Sequence, residues 1–430
     1  MPTDSSRALT TGPCRSGRRP VLPHALRLGL VLLVLGGSLA DAPVPGPSLA
    51  YVATARTATP PMGWNDWNAF GCDVDEQDIT AAITTLVSSG LAAAGYRDVT
   101  VDDCWAAPTR DAQGRLQPDP ARFPHGIAAL SALAHRNGLR LGIYSSAGST
   151  TCTAAQPGSL GHEQTDVATF VSWGVDLLKY DNCGATRHYS DSQAGYAARY
   201  RTMATVIADV GRRTGHVLRY SVCEWGLYQP WQWAGALADS WRTTPDITDD
   251  WASVLANFRQ DVLLGAHAHD GAWNDPDMLE VGNGGMTDVE YRTHFSLWAM
   301  LSAPLTIGTQ LGGASAATLA TLGNPAMIAV DQDPLGRQAQ VVSATAGGYV
   351  LRKLLQDGSS AIALFNATDA SRQISTTVDD GVGGAYALED LWSGATTVSG
   401  TQIDAVVPAH ATVVLRIRRL LATAGGAVPG

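Results

Sequence analysis

Between about residue 60 and residue 330 the chain alternates short, strand-like apolar runs with longer helical ones. That alternation is the pattern of a parallel α/β fold. Eight units can be counted, with strands expected in PPMGWNDW, YRDVTVDD, RLGIYSS, VDLLKYD, LRYSVCEW, DSWRTTPDI, AWNDPDML and PLTIGTQL. Helical runs fall between them over residues 76–94, behind the acidic cap Asp75/Asp78, and over 125–137, 195–213 and 287–302. Eight strand–helix units in ~270 residues fit a (β/α)8 barrel. After NPAMIAVDQDPLG the pattern changes to short alternating strands, GYVLRKL, SAIALFN, RQISTTV, YALEDLW and ATVVLRIR, separated by Gly, Ser and Thr turns. This predicts a small antiparallel β-sandwich of about eighty residues, packed against the barrel.

Polar and aromatic residues collect at the C-terminal ends of the barrel strands: Trp64, Asp102 with Asp103, Tyr144, Lys179 with Asp181, Glu224, Asp246, and Asp275 with Asp277. In a barrel those ends converge on one mouth, so residues far apart in sequence line a single pocket. One such acid is most simply a solvated loop residue or a helix cap. Strand after strand ending in a carboxylate or a large aromatic is not. The sharpest case is VDLLKYDNCG, where an apolar strand delivers the Asp181 carboxylate at a desolvation cost that calls for a partner charge. Lys179, two residues back on the same strand face, is the candidate partner and keeps Asp181 ionised.

Composition narrows the chemistry. A formal net charge of -10 argues against a nucleic-acid partner, since phosphate binding needs a basic surface. Residues 1–50 read as an export leader, with Arg15, Arg18, Arg19 and Arg27 ahead of LGLVLLVLGG and small residues at Ala40, Ala42 and Ala50. The apolar run is too short for a permanent span, and no later segment reaches the ~20 apolar residues a span needs, so no membrane anchor is expected. The expected organisation is thus a leader over 1–50, a barrel over 51–335 and a sandwich over 336–430, in a secreted protein. Of six cysteines Cys14 leaves with the leader, and the odd number remaining leaves one unpaired. None shows C-x-x-C metal spacing.

A mouth with several carboxylates, Trp and Tyr faces, one Lys and one Arg suits a pyranose. Carboxylates accept hydrogen bonds from adjacent hydroxyls, aromatic faces cover the C–H side of the ring, and cations donate to the rest. Glycoside cleavage then needs one ionised and one protonated acid about the anomeric carbon. Asp181 suits the nucleophile. Asp246, which follows Arg242 and Pro245, is expected to be held protonated by its closeness to ionised Asp181 and so to act as the general acid.

The segments PPMGWNDWNAFGC, VDDCW, LGIYSSAG, LLKYDNCG, CEWG, WRTTPDI and WNDPDMLEVGNGGMT together resemble the signature segments of the glycoside hydrolase family 27 α-galactosidases, in order from about residue 59 onward. The resemblance implies a retaining double displacement with Asp181 as nucleophile and Asp246 as acid/base, and no cofactor or metal. It implies further that Asp102 and Asp103 bind the 4- and 6-hydroxyls of galactose, Lys179 the 3- and 4-hydroxyls, and Glu224 with Arg242 the 2-hydroxyl. Trp64 would stack on the ring, Tyr144 would line the nucleophile's side, and Asp277 with Met278 would close the rim. Glu224 and Leu227 stand where relatives accepting N-acetylgalactosamine carry small residues, and Asp103 keeps the galactosidase form where β-L-arabinopyranosidases carry a longer acid. The same pattern would pair Cys72 with Cys104 and Cys152 with Cys183, leaving Cys223 a free, buried thiol.

Two other classes of function compete. His267-Ala268-His269-Asp270 has the H-x-H form of a metal ligand pair, but it precedes its strand and so should sit at the wrong end of a barrel. A non-catalytic galactose-binding protein would require loss of a catalytic acid, and both acids are present.

Overall fold

Eight parallel strands form one curled sheet in the computed structural model, which describes residues 57–185, 190–269, 271–378 and 384–420. The expected leader and Asp270 lie outside the described residues. The strands are β1 Met62–Asn65, β2 Asp98–Val101, β3 Arg140–Ser146, β4 Leu177–Asp181, β5 Arg219–Val222, β6 Ser240–Arg242, β7 Trp273–Asp275 and β8 Leu305–Ile307. Each falls inside the segment where the sequence placed a strand. They pair in the order β7-β6-β5-β4-β3-β2-β1-β8. The chain just past β7 closes the seam: the Leu279 amide donates to the Thr306 carbonyl at 2.7 Å, and the Gly308 amide to the Leu279 carbonyl at 2.9 Å.

Burial on both faces explains why these strands carry few alternating polar residues. The polar exceptions inside the barrel are paired. Asp98 at the foot of β2 accepts from Arg219 of β5, across the interior, at 2.8 Å and from Arg140 at 2.7 Å. Burial pushes the Asp98 carboxyl up, but Arg219 and Arg140 outweigh it and hold it below its usual range.

The helix Glu76–Ser88 opens with a capping box between Asp75 and Asp78 and buries Ile79, Ala82, Ile83 and Leu86, spaced as one helical face. The helix expected over 76–94 is interrupted: Gly90 adopts φ +84°, which ends the first segment before a short turn at Leu91–Ala94. The expected runs 125–137, 195–213 and 287–302 appear as Ile127–Arg136, Gln193–Thr214 and Asp288–Leu301. From Thr293 to Leu301 the last of these is buried all round, because it lies between the barrel and the C-terminal strands β11 and β16.

The C-terminal part contains β9 Gln340–Thr345, β10 Gly348–Leu354, β11 Ser360–Asn366, β12 Arg372–Thr377, β13 Tyr386–Asp390, β14 Thr396–Ser399, β15 Gln402–Val407 and β16 Thr412–Arg419. Six strands form one sheet, β14-β13-β16-β11-β10-β9, and β12 pairs with β15 opposite it. Alternation along the strands makes the large sheet two-faced. Val350, Ile362, Leu364 and Ile417 fill the space between the two sheets. Leu351, Ala361, Ala363, Phe365 and Val414 face the other way and join the barrel core. Strands β9, β14 and β15 were not foreseen, since two of them are polar, largely exposed edges.

Two polar side chains lock this part of the fold. The Lys353 ammonium is buried and donates to the Ala299 carbonyl at 2.9 Å and the Ser302 hydroxyl at 2.7 Å, a cation at the C-terminal end of the helix Asp288–Leu301. Asn366 heads the sequon Asn366-Ala367-Thr368, yet its side chain is buried and its Nδ2 donates to the Ala370, Val407 and Pro408 carbonyls at 2.8, 3.1 and 2.9 Å. The nitrogen a glycan would need is therefore spent on the fold. Asn366→Ala is expected to lower stability by roughly 2–4 kcal/mol, because three carbonyls lose their donor, and urea unfolding measures this.

Candidate active site

Parallel pairing sets the register of the mouth. Tyr144 on β3 lies beside Lys179 on β4, and Ser146 beside Asp181. Lys179 Nζ reaches Asp102 at the end of β2 and donates to its Oδ2 at 2.6 Å, while lying 5.7 Å from the centre of the Tyr144 ring. Burial pulls the Lys179 ammonium down, but Asp102 and Asp181 outweigh it and hold it well above its usual range. Asp102 is held from its other side as well. Asn65 Nδ2 donates to Asp102 Oδ2 at 2.5 Å, and Asp66 Oδ1 accepts the Asp102 amide at 2.7 Å. Asp103 accepts the Cys104 and Thr153 amides at 2.7 and 3.2 Å, and burial raises its carboxyl above its usual range.

Asp181 is 6 % exposed, and burial pushes its carboxyl up to about 6, with Lys179 opposing. The lysine therefore limits the desolvation cost without cancelling it. The disulfide Cys152–Cys183 packs against this group: the Cys152 sulfur lies 3.2 Å from Asp181 Oδ2 and, having no proton, only fixes its position. The Ala147 amide and the Ser146 hydroxyl bond the carbonyls of Asp181 and Cys183 at 2.9 Å each, so the strand end is clamped on both sides of the carboxylate. Cys72 and Cys104 form a second disulfide at the mouth. Cys223 is a buried free thiol, 3.6 Å from Arg242 Nη1.

Arg242 organises the opposite side. Its Nη2 donates to Asp246 Oδ1 at 2.9 Å and contacts Asp277 Oδ2 at 2.8 Å. Asp277 also accepts the Ile247 amide at 2.8 Å and adopts φ +83°, a conformation that costs an L-residue about 1–3 kcal/mol and persists only where its surroundings impose it. Met278 follows, 6 % exposed. Glu224, just past β5, is fully buried, and neither carboxyl oxygen accepts a hydrogen bond of good geometry among the described residues. Burial pushes its carboxyl up to about 9, against Arg199 and Arg242.

Two expectations need correction. Trp64 does not offer its face to the mouth: it is 1 % exposed, its indole N–H donates to the Thr309 carbonyl at 2.8 Å, and its ring meets Phe70 edge-on. It also lines the barrel interior with Pro61, Asp98 and Arg219, below the pocket. Asp246 is not tucked against Asp181 but stands at the rim, its side chain 66 % exposed and paired with Arg242. His267 and His269 precede β7, at the end of the barrel away from the mouth. Sequence reasoning missed Asn65, Asp66 and Arg199, which hold the site from behind. The polar–aromatic WNDW run carried a signal for the first two, and nothing local marked Arg199.

A parallel barrel with a mouth of buried carboxylates, two cations and orphaned hydrogen-bonding atoms is built as a glycoside hydrolase is. Comparison with known proteins agrees. The family model for alpha galactosidase A matches residues 59–333, and the model for the alpha galactosidase C-terminal beta sandwich domain matches 348–417. An α-galactosidase of Oryza sativa is 44% identical over 82% of this chain and 83% of its own length, and one of Cellvibrio japonicus is 40% identical over 84% and 92%. The crystal structure of α-galactosidase I from Mortierella vinacea superposes with a TM-score of 0.80 at 34% identity, covering 84% of this chain and 98% of that one. The chain belongs to the α-galactosidases of glycoside hydrolase family 27, and is a hydrolase of that class.

The Asp181 environment has a consequence for stability. Burial raises the folded-state carboxyl to about 6 from an ordinary 3.8, so the folded state binds this proton more tightly than the unfolded chain. The resulting stabilisation is complete below the ordinary value and is lost as pH rises through 6. Asp181→Asn, which keeps the neutral shape, is therefore expected to raise stability at pH 7 by up to about 3 kcal/mol, with the difference vanishing near pH 4. Thermal unfolding at the two pH values checks this.

Proposed function

We propose that the chain is a secreted, retaining exo-α-galactosidase that removes terminal galactose from oligosaccharides or galactomannan. One observation carries this reading. Asp181 Oδ1, both Glu224 oxygens, the Tyr144 hydroxyl and Arg242 Nε are all buried without a hydrogen bond of good geometry among the described residues. Such groups are costly unless a ligand rich in hydroxyls satisfies them.

In the first step an Asp181 oxygen bonds the anomeric carbon, the bond to the leaving oxygen breaks, and the Asp246 proton passes to that oxygen. In the second step Asp246 takes a proton from water, the water oxygen bonds the anomeric carbon, and Asp181 leaves as a carboxylate. The exposed position of Asp246 suits a group that must meet both a departing aglycone and an arriving water. Asp102, Asp103 and Lys179 would bind the 3-, 4- and 6-hydroxyls, Glu224 with Arg242 the 2-hydroxyl, and Met278 with Asp277 would close the rim. The buried Glu224 leaves little room for an acetamido group, which favours galactose over N-acetylgalactosamine. The export leader read at residues 1–50 supports export. Raffinose-type sugars are candidate substrates, since a Saccharomyces cerevisiae α-galactosidase of the same fold is known with raffinose, at 28% identity and a TM-score of 0.79.

Hydrolysis of 4-nitrophenyl α-D-galactopyranoside, β-L-arabinopyranoside and N-acetyl-α-D-galactosaminide, compared side by side without added metal, tests the reading. The galactoside is expected to be preferred by at least about tenfold, and preference for either other sugar would refute the roles given to Asp103 and Glu224. Asp181→Asn should abolish turnover, whereas Asp246→Asn should spare glycosylation by substrates with very good leaving groups. For the wild type, kcat/KM should fall as pH drops below about 6, because the nucleophile is then protonated. Lys179→Met should move that limb to higher pH, since Lys179 is what opposes the desolvation of Asp181. An acid limb that stayed in place would separate Lys179 from the nucleophile.

A further inference from the structure

Behind the mouth lies an acid that the catalytic steps do not use. Asp66, which directly follows β1, is 0 % exposed, and its Oδ1 accepts the Asp102 amide at 2.7 Å. Its Oδ2 is buried and accepts no hydrogen bond of good geometry among the described residues. Asp102 is served differently. Its Oδ2 accepts Lys179 Nζ at 2.6 Å and Asn65 Nδ2 at 2.5 Å, and its Oδ1 accepts the Asp103 amide at 2.8 Å. Three donors, one of them charged, meet the Asp102 carboxyl, and a single amide meets that of Asp66.

Neighbouring acids in a dry site do not both ionise where one cation faces them. Asp102, just past β2, and Lys179, on β4, are the charged groups that bear on Asp66. The negative charge goes to the carboxyl with the better hydrogen bonds, which is Asp102, and the proton stays with the other. An ionised Asp66 would leave an anionic oxygen buried without a donor, a far larger penalty than a buried O–H that lacks an acceptor. Burial, and then the Asp102 charge, accordingly hold the Asp66 carboxyl well above its usual range, against the backbone amides and Lys179.

We propose that Asp66 is a positioning residue that acts as a neutral acid: it holds a proton on Oδ2 and, through Oδ1, fixes the Asp102 backbone without placing a second charge behind the carboxylate. Its effect on turnover rests on the hydroxyl-binding role given to Asp102 above. The clamp on the amide sets where the Asp102 carboxylate points. Neutrality leaves the Lys179 ammonium to Asp102 and Asp181, the two acids that hold its proton on. Asn has the shape of the neutral acid, with a carbonyl oxygen to accept the amide and an NH2 in place of the O–H.

Asp66→Asn and Asp66→Ala therefore separate shape from charge. With 4-nitrophenyl α-D-galactopyranoside at pH 7, Asp66→Asn should keep kcat/KM within about twofold of wild type, whereas Asp66→Ala, which orphans the Asp102 amide, should lose about tenfold, mainly through KM. Equal losses in both variants, or none in Asp66→Ala, would overturn the proposal. The proton itself is read by the infrared difference between wild type and Asp66→Asn at pH 7. Loss of the carbonyl stretch of a protonated carboxyl is expected, and loss of carboxylate bands instead would refute the neutral acid. Unfolding gives an independent check. A carboxyl that keeps its proton on folding favours the folded state below its ordinary value of 3.8, and that advantage declines as pH rises past it. The melting temperature of Asp66→Asn relative to wild type should thus rise between pH 4 and pH 7, and no change or a fall would count against the proposal. The infrared and unfolding measurements hold even if Asp66→Ala does not fold. They hold as well if the wild type is inactive on the aryl galactoside, a result that would refute the catalytic reading alone.

Discussion

The mouth of this barrel depends on the ion pair between Lys179 and Asp102. Three buried acids gather there, Asp102 and Asp103 just past β2 and Asp181 at the end of β4, with β3 between them, and burial raises the Asp103 and Asp181 carboxyls. One ammonium, 2.6 Å from Asp102 Oδ2 and close enough to Asp181 to oppose its desolvation, makes the cluster tenable. Asn65 and Asp66 fix Asp102 from behind, so the cation sits where the parallel register of β3 and β4 puts it. Arg242 plays the corresponding part on the other side for Asp246 and Asp277.

This arrangement is bought at the expense of stability. Asp181 and Asp275 are raised to about 6 and Glu224 to about 9, all chiefly by burial, and Asp277 holds a left-handed backbone. Each is a local cost that a core built only for packing would not carry. The offset comes from rigidity nearby: two disulfides at the mouth, a seam closed through Leu279, and a sandwich sheet whose barrel-facing side chains join the barrel core. Both of the chain's lysines are paired cations, Lys179 partly buried in the mouth and Lys353 fully buried at the end of the helix Asp288–Leu301.

The strands were legible because burial on both faces leaves a simple mark, a short apolar run ending in a polar group. Three C-terminal strands were not, since an exposed edge such as Thr396–Ser399 carries no such mark and forms only because a partner is present. Gly90 was hidden inside an otherwise helical stretch. Trp64 stands in a polar–aromatic motif, and composition does not tell that its ring turns into the barrel interior; that side depends on the strand's pleat.

The sequence by itself determined the barrel, the sandwich and the set of acids and cations at the strand ends, because period and strand length are local properties of the chain. It also carried the ordered segments that mark the family. Only the tertiary structure decided which of those groups are buried, which are paired and which remain unsatisfied. It put Asp246 at the rim, left the Glu224 oxygens without a hydrogen bond of good geometry among the described residues, and set a polar cleft beside Asp246. Burial and pairing depend on what other segments bring within a few ångströms, and that information is not local to any stretch of sequence.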